Sequence, residues 1–273
     1  MVHELGGLED VPSQEPLSDL LPRVGAKADE LLQKVPNLIS DESVTQTQWA
    51  EAHGTAMSCL GRECGDPGPR WRSDHEKFNY IILTHPAQDH RLVLEEYRTG
   101  RNGKPVPQGA GAPRFQGFVA AWVIFSSLNQ VESRFRDLGR QKTDGHNTFV
   151  IGFAQIPGSI ESPGQILTDK GAIPMLLQGI AWIDQSDSRI VRLRTDLLAP
   201  RPEIGFQKQT ADILFGPVRI AALDSELWLP RAVNVELEAQ GQFFHEQHQY
   251  SKYRLYQAKS RIILSPLPSG PSQ

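Results

Sequence analysis

Between Ser133 and Tyr256 the chain reads as a nearly unbroken run of long antiparallel strands, and this limits it to folds built on one large sheet. Gly179-Ile180-Ala181-Trp182-Ile183-Asp184 runs into the polar turn Ser186-Asp187-Ser188 and returns as Arg189-Ile190-Val191-Arg192-Leu193-Arg194. Asp144-Gly145 between Ser133–Lys142 and Asn147–Ile156 is a short-range hairpin signal, because Asp and Gly tolerate the positive φ angles of a two-residue turn. Residues 204–216, 226–238 and 242–256 continue the meander. Side chains alternate across a strand. Val233, Val235 and Leu237 therefore oppose Asn234, Glu236 and Glu238, and Val191 and Leu193 are expected to oppose Arg192 and Arg194. One greasy face and one charged face describe an antiparallel sheet buried on one side.

Something must cover the apolar face. Leu20, Leu21, Val24, Ala28, Leu31, Leu32 and Val35 recur at helical spacing, with Ser18 or Asp19 as N-cap and Pro36 as the stop. A second helix is expected over Gly117 to Leu128, where Phe118, Trp122 and Phe125 share a face and Val119, Val123 and Ile124 make the other side apolar too. Such a helix is either a core helix or the lid of an internal cavity. Residues 53–74 and 99–114 read as Gly/Pro-rich loops, and Thr84 to Asp89 as a turn. The expected fold is α+β and β-rich: a large curved antiparallel sheet of about ten strands, an open half-barrel, with two or three covering helices. Residues 1–16, rich in Gly, Pro and acid, and the tail 264–273 are expected to be disordered, leaving one domain over 17–258.

Composition removes several function classes. A net charge of −4 over 273 residues argues against a general electrostatic hold on nucleic acid. No window supplies the ~20 apolar residues of a membrane-spanning helix, and no secretory signal is visible at the N-terminus, so the protein is expected to be either cytoplasmic or a mature or truncated form. Cys59 and Cys64, in a Gly/Pro loop, are either free thiols or a short disulfide in an oxidising compartment, and a metal site would need ligands that His53 and His75 do not offer at finger spacing. No cofactor or metal motif occurs. His245 and His248 are three apart on a strand and face opposite sides. His146 sits beside the Asp144-Gly145 turn, and Asp184 and Asp187 flank another, where turn formation accounts for them. No nucleophile elbow, zinc-helix or phosphate-loop pattern is present, so an enzyme is not expected, and a hydrolase on a β-rich scaffold is the lesser alternative.

Two features remain. Aromatic residues on the apolar side, with Phe118, Trp122, Phe125 and Trp182 foremost, are candidates to line a cavity that holds acyl chains by area alone. Arg192 and Arg194 are candidates for a charged stripe that binds a protein partner; a solvated sheet face is the plainer reading.

Ala181-Trp182-Ile183-Asp184 followed by Arg189-Ile190-Val191-Arg192-Leu193 resembles the strand-turn-strand step of the outer-membrane lipoprotein-carrier family, LolA/LolB-like. The order of elements is similar as well, from an N-terminal helix to a Tyr-rich last strand at Tyr250 and Tyr253. Leu138–His146 and Arg192–Leu198 resemble a bacterial group of acidobacterial type, from which no activity follows. The family resemblance implies a half-barrel whose concave apolar face, lidded by helices, holds acyl chains of lipoproteins or lipids in the periplasm. It also implies an envelope protein partner. The chain departs from the family in lacking a visible signal peptide and a lipobox cysteine.

Overall fold

The structure, a computed structural model, describes residues 5–9, 17–34, 37–50, 70–86, 92–106, 117–160, 164–168, 171–221, 223–224 and 226–256. Cys59, Cys64 and the tail 264–273 lie outside these residues. Twelve strands are described: β1 (Leu38–Ala50), β2 (Arg70–Pro86), β3 (Leu92–Gly100), β4 (Ser133–Thr143), β5 (His146–Gln155), β6 (Gly164–Thr168), β7 (Gly171–Met175), β8 (Leu177–Asp184), β9 (Ile190–Leu197), β10 (Phe206–Val218), β11 (Leu227–Ala239) and β12 (Gln242–Leu255). Ten of them form one open antiparallel sheet in the order β3-β2-β1-β12-β11-β10-β9-β8-β5-β4, while β6 and β7 pair apart as a small hairpin. The expected half-barrel is therefore the fold. β2 reaches back to Arg70 and forward to Pro86, into segments read from sequence as loop and turn, because β1 pairs with it from Arg70 to Ile82 and β3 from Phe78 to Pro86.

Alternation sorts the sheet. Leu193, Ala211, Ile213, Val233 and Val235 enter the main core on the inner face. Asp144 and Gly145 take φ of 48° and 85°, the double positive φ that a tight hairpin turn needs. The inner face is covered by α1 (Leu17–Lys34), whose stripe Leu20, Val24, Ala28 and Leu32 is buried. The expected helix over 117–128 is reduced to α2 (Val119–Val123). Its start at Phe118 has no side-chain cap, and the chain beyond it continues in turns to a 3-10 turn at Gln130–Glu132. Phe118 and Phe125 are nonetheless fully buried. Gly25 lets the two covering segments touch: a Cβ there would stand 2.7 Å from both Gln130 Nε2 and Ser127 Oγ. Gln130 Nε2 donates to the carbonyls of Leu21 and Phe125, stitching α1 to the second segment.

Residues 5–9 were expected to be disordered with the rest of 1–16, but they are seated on the outer face. Glu9 exchanges two backbone hydrogen bonds with Arg140 on the edge strand β4, and Leu5 and Leu8 pack on a cluster of Val150, Trp182 and Val191. Gly139, at φ 132° beside a bulge in β4, makes room for this contact, since a Cβ would collide with the Glu9 carbonyl. Gly139→Val is expected to destabilise by about 1–3 kcal/mol through backbone strain and loss of this contact. Thermal melts would read the loss, and a red shift of tryptophan emission would report the exposure of Trp182.

Candidate functional site

A cleft of about 220 Å³ opens where α1 crosses the sheet end formed by the 188–190 turn, β10 and β11. Its floor is apolar, built from Val24, Ala28, Ile190, Phe215 and Leu227, all buried. The charged residues that line it, Lys27, Glu30, Arg189 and Glu226, are exposed enough to form a rim. Trp228 closes one side. Its indole donates to the Ile190 carbonyl at 2.8 Å, and the Arg189 guanidinium lies 5.6 Å from its ring centre. Beside this wall His146 meets the Trp228 ring edge-on, and its Nδ1 is hydrogen-bonded to Asp184. Burial pushes the Asp184 carboxyl up, but hydrogen bonds from Ser186 and His146 outweigh it and hold it below its usual value.

Elsewhere on the inner face aromatic side chains of the described residues pack on one another. Phe118 packs against Tyr80 and Tyr250, and Phe125 against Phe135 and Phe153. The structure thus brings Phe118 and Phe125 into one core but does not bring Trp182 to them. Trp182 is buried on the opposite face, where its indole donates to Gln141 Oε1 at 2.7 Å and Arg192 covers its ring. Val191 joins Trp182 there, because the β8–β9 register shifts between Trp182 and Ile183 and turns Val191 away from Leu193. The Trp122 side chain lies outside the described residues.

The two candidate partner arginines are matched within the sheet. Arg192 makes a bidentate pair with Asp212, 2.7 Å at both nitrogens, and Arg194 pairs with Asp196 on its own strand.

Sequence reasoning missed a buried ionic network on the β1, β3 and β12 part of the inner face. Arg98 grips Glu42 through Nε at 2.5 Å and Nη2 at 2.7 Å. His248 reaches Glu42 with Nδ1 at 2.9 Å and Glu246 with Nε2 at 3.0 Å. Gln46 Nε2 also donates to Glu246. Both carboxylate side chains are fully buried and His248 nearly so. Burial alone raises the Glu42 carboxyl, but the Arg98 charge and the His248 hydrogen bond outweigh it and hold it at about 2. Glu96 is pushed the other way, up, by burial; it accepts hydrogen bonds from the Tyr80 hydroxyl and the Val119 amide, tying the start of α2 to β3.

Solved structures similar to this chain include a Vibrio parahaemolyticus domain assigned by name to outer membrane lipoprotein sorting, at 11% identity and TM-score 0.44, covering 89% of this chain and 94% of that one. A DUF1329 family protein from Desulfovibrio piger is similar at 11% identity and TM-score 0.41, over 90% and 96% of the two chains. A LolA superfamily protein from Nitrosomonas europaea is similar at 13% identity and TM-score 0.38, over 88% and 95%. No family model and no curated protein matches the chain.

Proposed function

We propose that the protein is a non-enzymatic carrier or envelope sensor that holds an acyl chain of a lipid or acylated protein in the cleft beneath α1, and that it works in the periplasm. The observation that carries this reading is the cleft itself: a buried apolar floor, open at a rim of charged side chains. Such a site retains an apolar chain by area, at ~25 cal/mol per Å², while the rim stays in water. Its volume of about 220 Å³ is below the ~300–1,000 Å³ of pockets that enclose a whole small molecule, so it suits one chain or its end. No described helix is long and apolar enough to cross a membrane.

Native mass spectrometry with lipid extraction tests the reading. Protein isolated without detergent is expected to carry lipid or acylated peptide, or to take up added fatty acid. Ala28→Phe, which fills the cleft, is expected to weaken uptake on the order of tenfold in Kd while leaving the melt cooperative. A clean apo mass with no uptake sinks the proposal.

A second reading draws on the packing of Leu20, Phe118 and Phe125, each fully buried on the inner face. In this reading the fold is a self-filled protein-interaction domain whose Arg192 and Arg194 face contacts a partner. Charge reversal at both arginines would then weaken partner capture and leave lipid uptake alone.

A further inference from the structure

Ion pairs on the outer face are mostly one to one: Arg192 with Asp212, Lys208 with Glu236, Arg231 with Asp144. One corner breaks this balance. Asp41, 8% exposed, is approached by Arg254 Nη1 at 3.0 Å, Arg101 Nη1 at 3.1 Å and Lys252 Nζ at 3.6 Å. Its cross-strand neighbours, Asn79 and Ser251, are neutral. Among the described residues, three cations against one carboxylate leave a local charge near +2 on a chain whose net charge is −4.

The convergence is built by the backbone. The β1–β12 register shifts between Ile39 and Asp41, and Lys252 takes a left-handed φ of 52°, a strained position for a residue with a Cβ. Arg254 Nη1 also donates to the Lys252 backbone carbonyl, which fixes the Arg254 side chain against the bulged backbone. Arg101 arrives from a tight turn after β3, closed by Gly103 N–H to the Gly100 carbonyl at 2.8 Å. About half or more of each cationic side chain stays exposed, at 46%, 49% and 78% for Arg254, Arg101 and Lys252.

We propose that Arg101, Lys252 and Arg254 form a binding site for a phosphate group, and that its source is the headgroup of an anionic membrane lipid. The phosphodiester of a lipid headgroup carries a single negative charge on two non-bridging acceptor oxygens, which the charge excess can take up, and guanidinium groups bind such oxyanions in bidentate fashion. The Asp41 carboxylate already shows the kind of group the corner holds. The lipid source is favoured by what lies beside it. Cross-strand pairing sets Ile39 and Tyr97, both partly exposed, in one row with Arg254, apolar and aromatic neighbours of the kind that seat at a membrane interface. The inference stands independently of the acyl-chain reading.

Co-sedimentation with vesicles of phosphatidylcholine, with and without phosphatidylglycerol, tests it. Binding is expected only with phosphatidylglycerol, to fall with added salt, and to be competed by inorganic phosphate. Arg101→Gln, Arg254→Gln and Lys252→Gly are each expected to weaken it about fivefold, the equivalent of about 1 kcal/mol per basic residue near the surface. Glycine at 252 keeps the left-handed backbone of the bulge while removing the charge. A folded triple variant that sediments like the wild type overturns the site. So does equal binding to both vesicle types, or capture of polyglutamate with neither phosphate nor vesicle binding. Phosphate binding without vesicle binding overturns the lipid source. Sedimentation reads docking and mass spectrometry reads retained lipid, so the two readings fail separately.

Discussion

Replacing Arg98 with alanine is expected to destabilise the protein by about 3–5 kcal/mol, the usual consequence of leaving a buried charge without its partner. Glu42 is fully buried, and Arg98 spans both its oxygens while keeping only 10% of its own side chain exposed. The guanidinium also lies 5.5 Å from the centre of the Tyr80 ring, so packing is lost along with charge. The effect has a pH signature. Glu42 is depressed to about 2 in the fold against an ordinary 4.5. A depressed carboxyl stabilises the native state above its unfolded value, and that stabilisation is lost as pH falls through the folded value. The gap between wild type and Arg98→Ala should therefore be full above about pH 4.5 and close as pH drops toward about 2. Urea unfolding at neutral pH and at about pH 3 measures both ends. A neutral-pH loss under about 1 kcal/mol, the range of an exposed ion pair, would show that the carboxylate is not held by this arginine.

The sheet was legible because its residues obey a local rule. Val233, Val235 and Leu237 are buried while Glu236 and Glu238 are not, as period two requires, and α1 buries its stripe at helical spacing. The rule failed where both faces are apolar. Ile180 to Ile183 offers no polar residue to fix the parity, so alternation could not say that Trp182 faces outward with Arg192 while Ala181 and Ile183 face in. A bulge did the rest at Val191, since a single inserted residue flips those beyond it. The second helix was over-read for a related reason: an all-apolar run satisfies a helical stripe in any register, and its β-branched and aromatic residues do not sustain one without a cap.

The ionic network was hidden by distance along the chain. His248 was correctly set opposite His245, and it is buried while His245 is exposed. Its partner Glu42 is 206 residues away, brought alongside by the pairing of β1 with β12, the first and last strands. Parity places Glu246, His248 and Tyr250 on one face, but only topology says which strand lies next to them. The Asp41 corner needed both that pairing and the left-handed bulge position at Lys252, neither of which composition announces.

His248→Leu is expected to destabilise by a similar amount, about 3–5 kcal/mol, and to change the pH response at the opposite end. Each ring nitrogen of His248 faces a carboxylate, Glu42 on one side and Glu246 on the other. A neutral imidazole has one donor, so satisfying both acceptors requires the doubly protonated, cationic ring. Burial pulls the His248 pKa down, but the hydrogen bonds to Glu246 and Glu42 outweigh it and leave the folded value above the ordinary 6.5. A raised histidine stabilises the fold fully below its unfolded pKa, and that stabilisation is lost as pH rises through the folded value. Wild-type stability is thus expected to decline on going from about pH 6 into the alkaline range, and His248→Leu to lose that slope. Urea midpoints across the range decide it: a flat wild-type profile, or an equal slope in the variant, would mean the ring is neutral in the fold. Arg98 and His248 both neutralise Glu42, so Arg98→Ala combined with His248→Leu should fall short of the sum of the two losses. Once either cation is gone, protonating Glu42 relieves part of the burden the other was carrying.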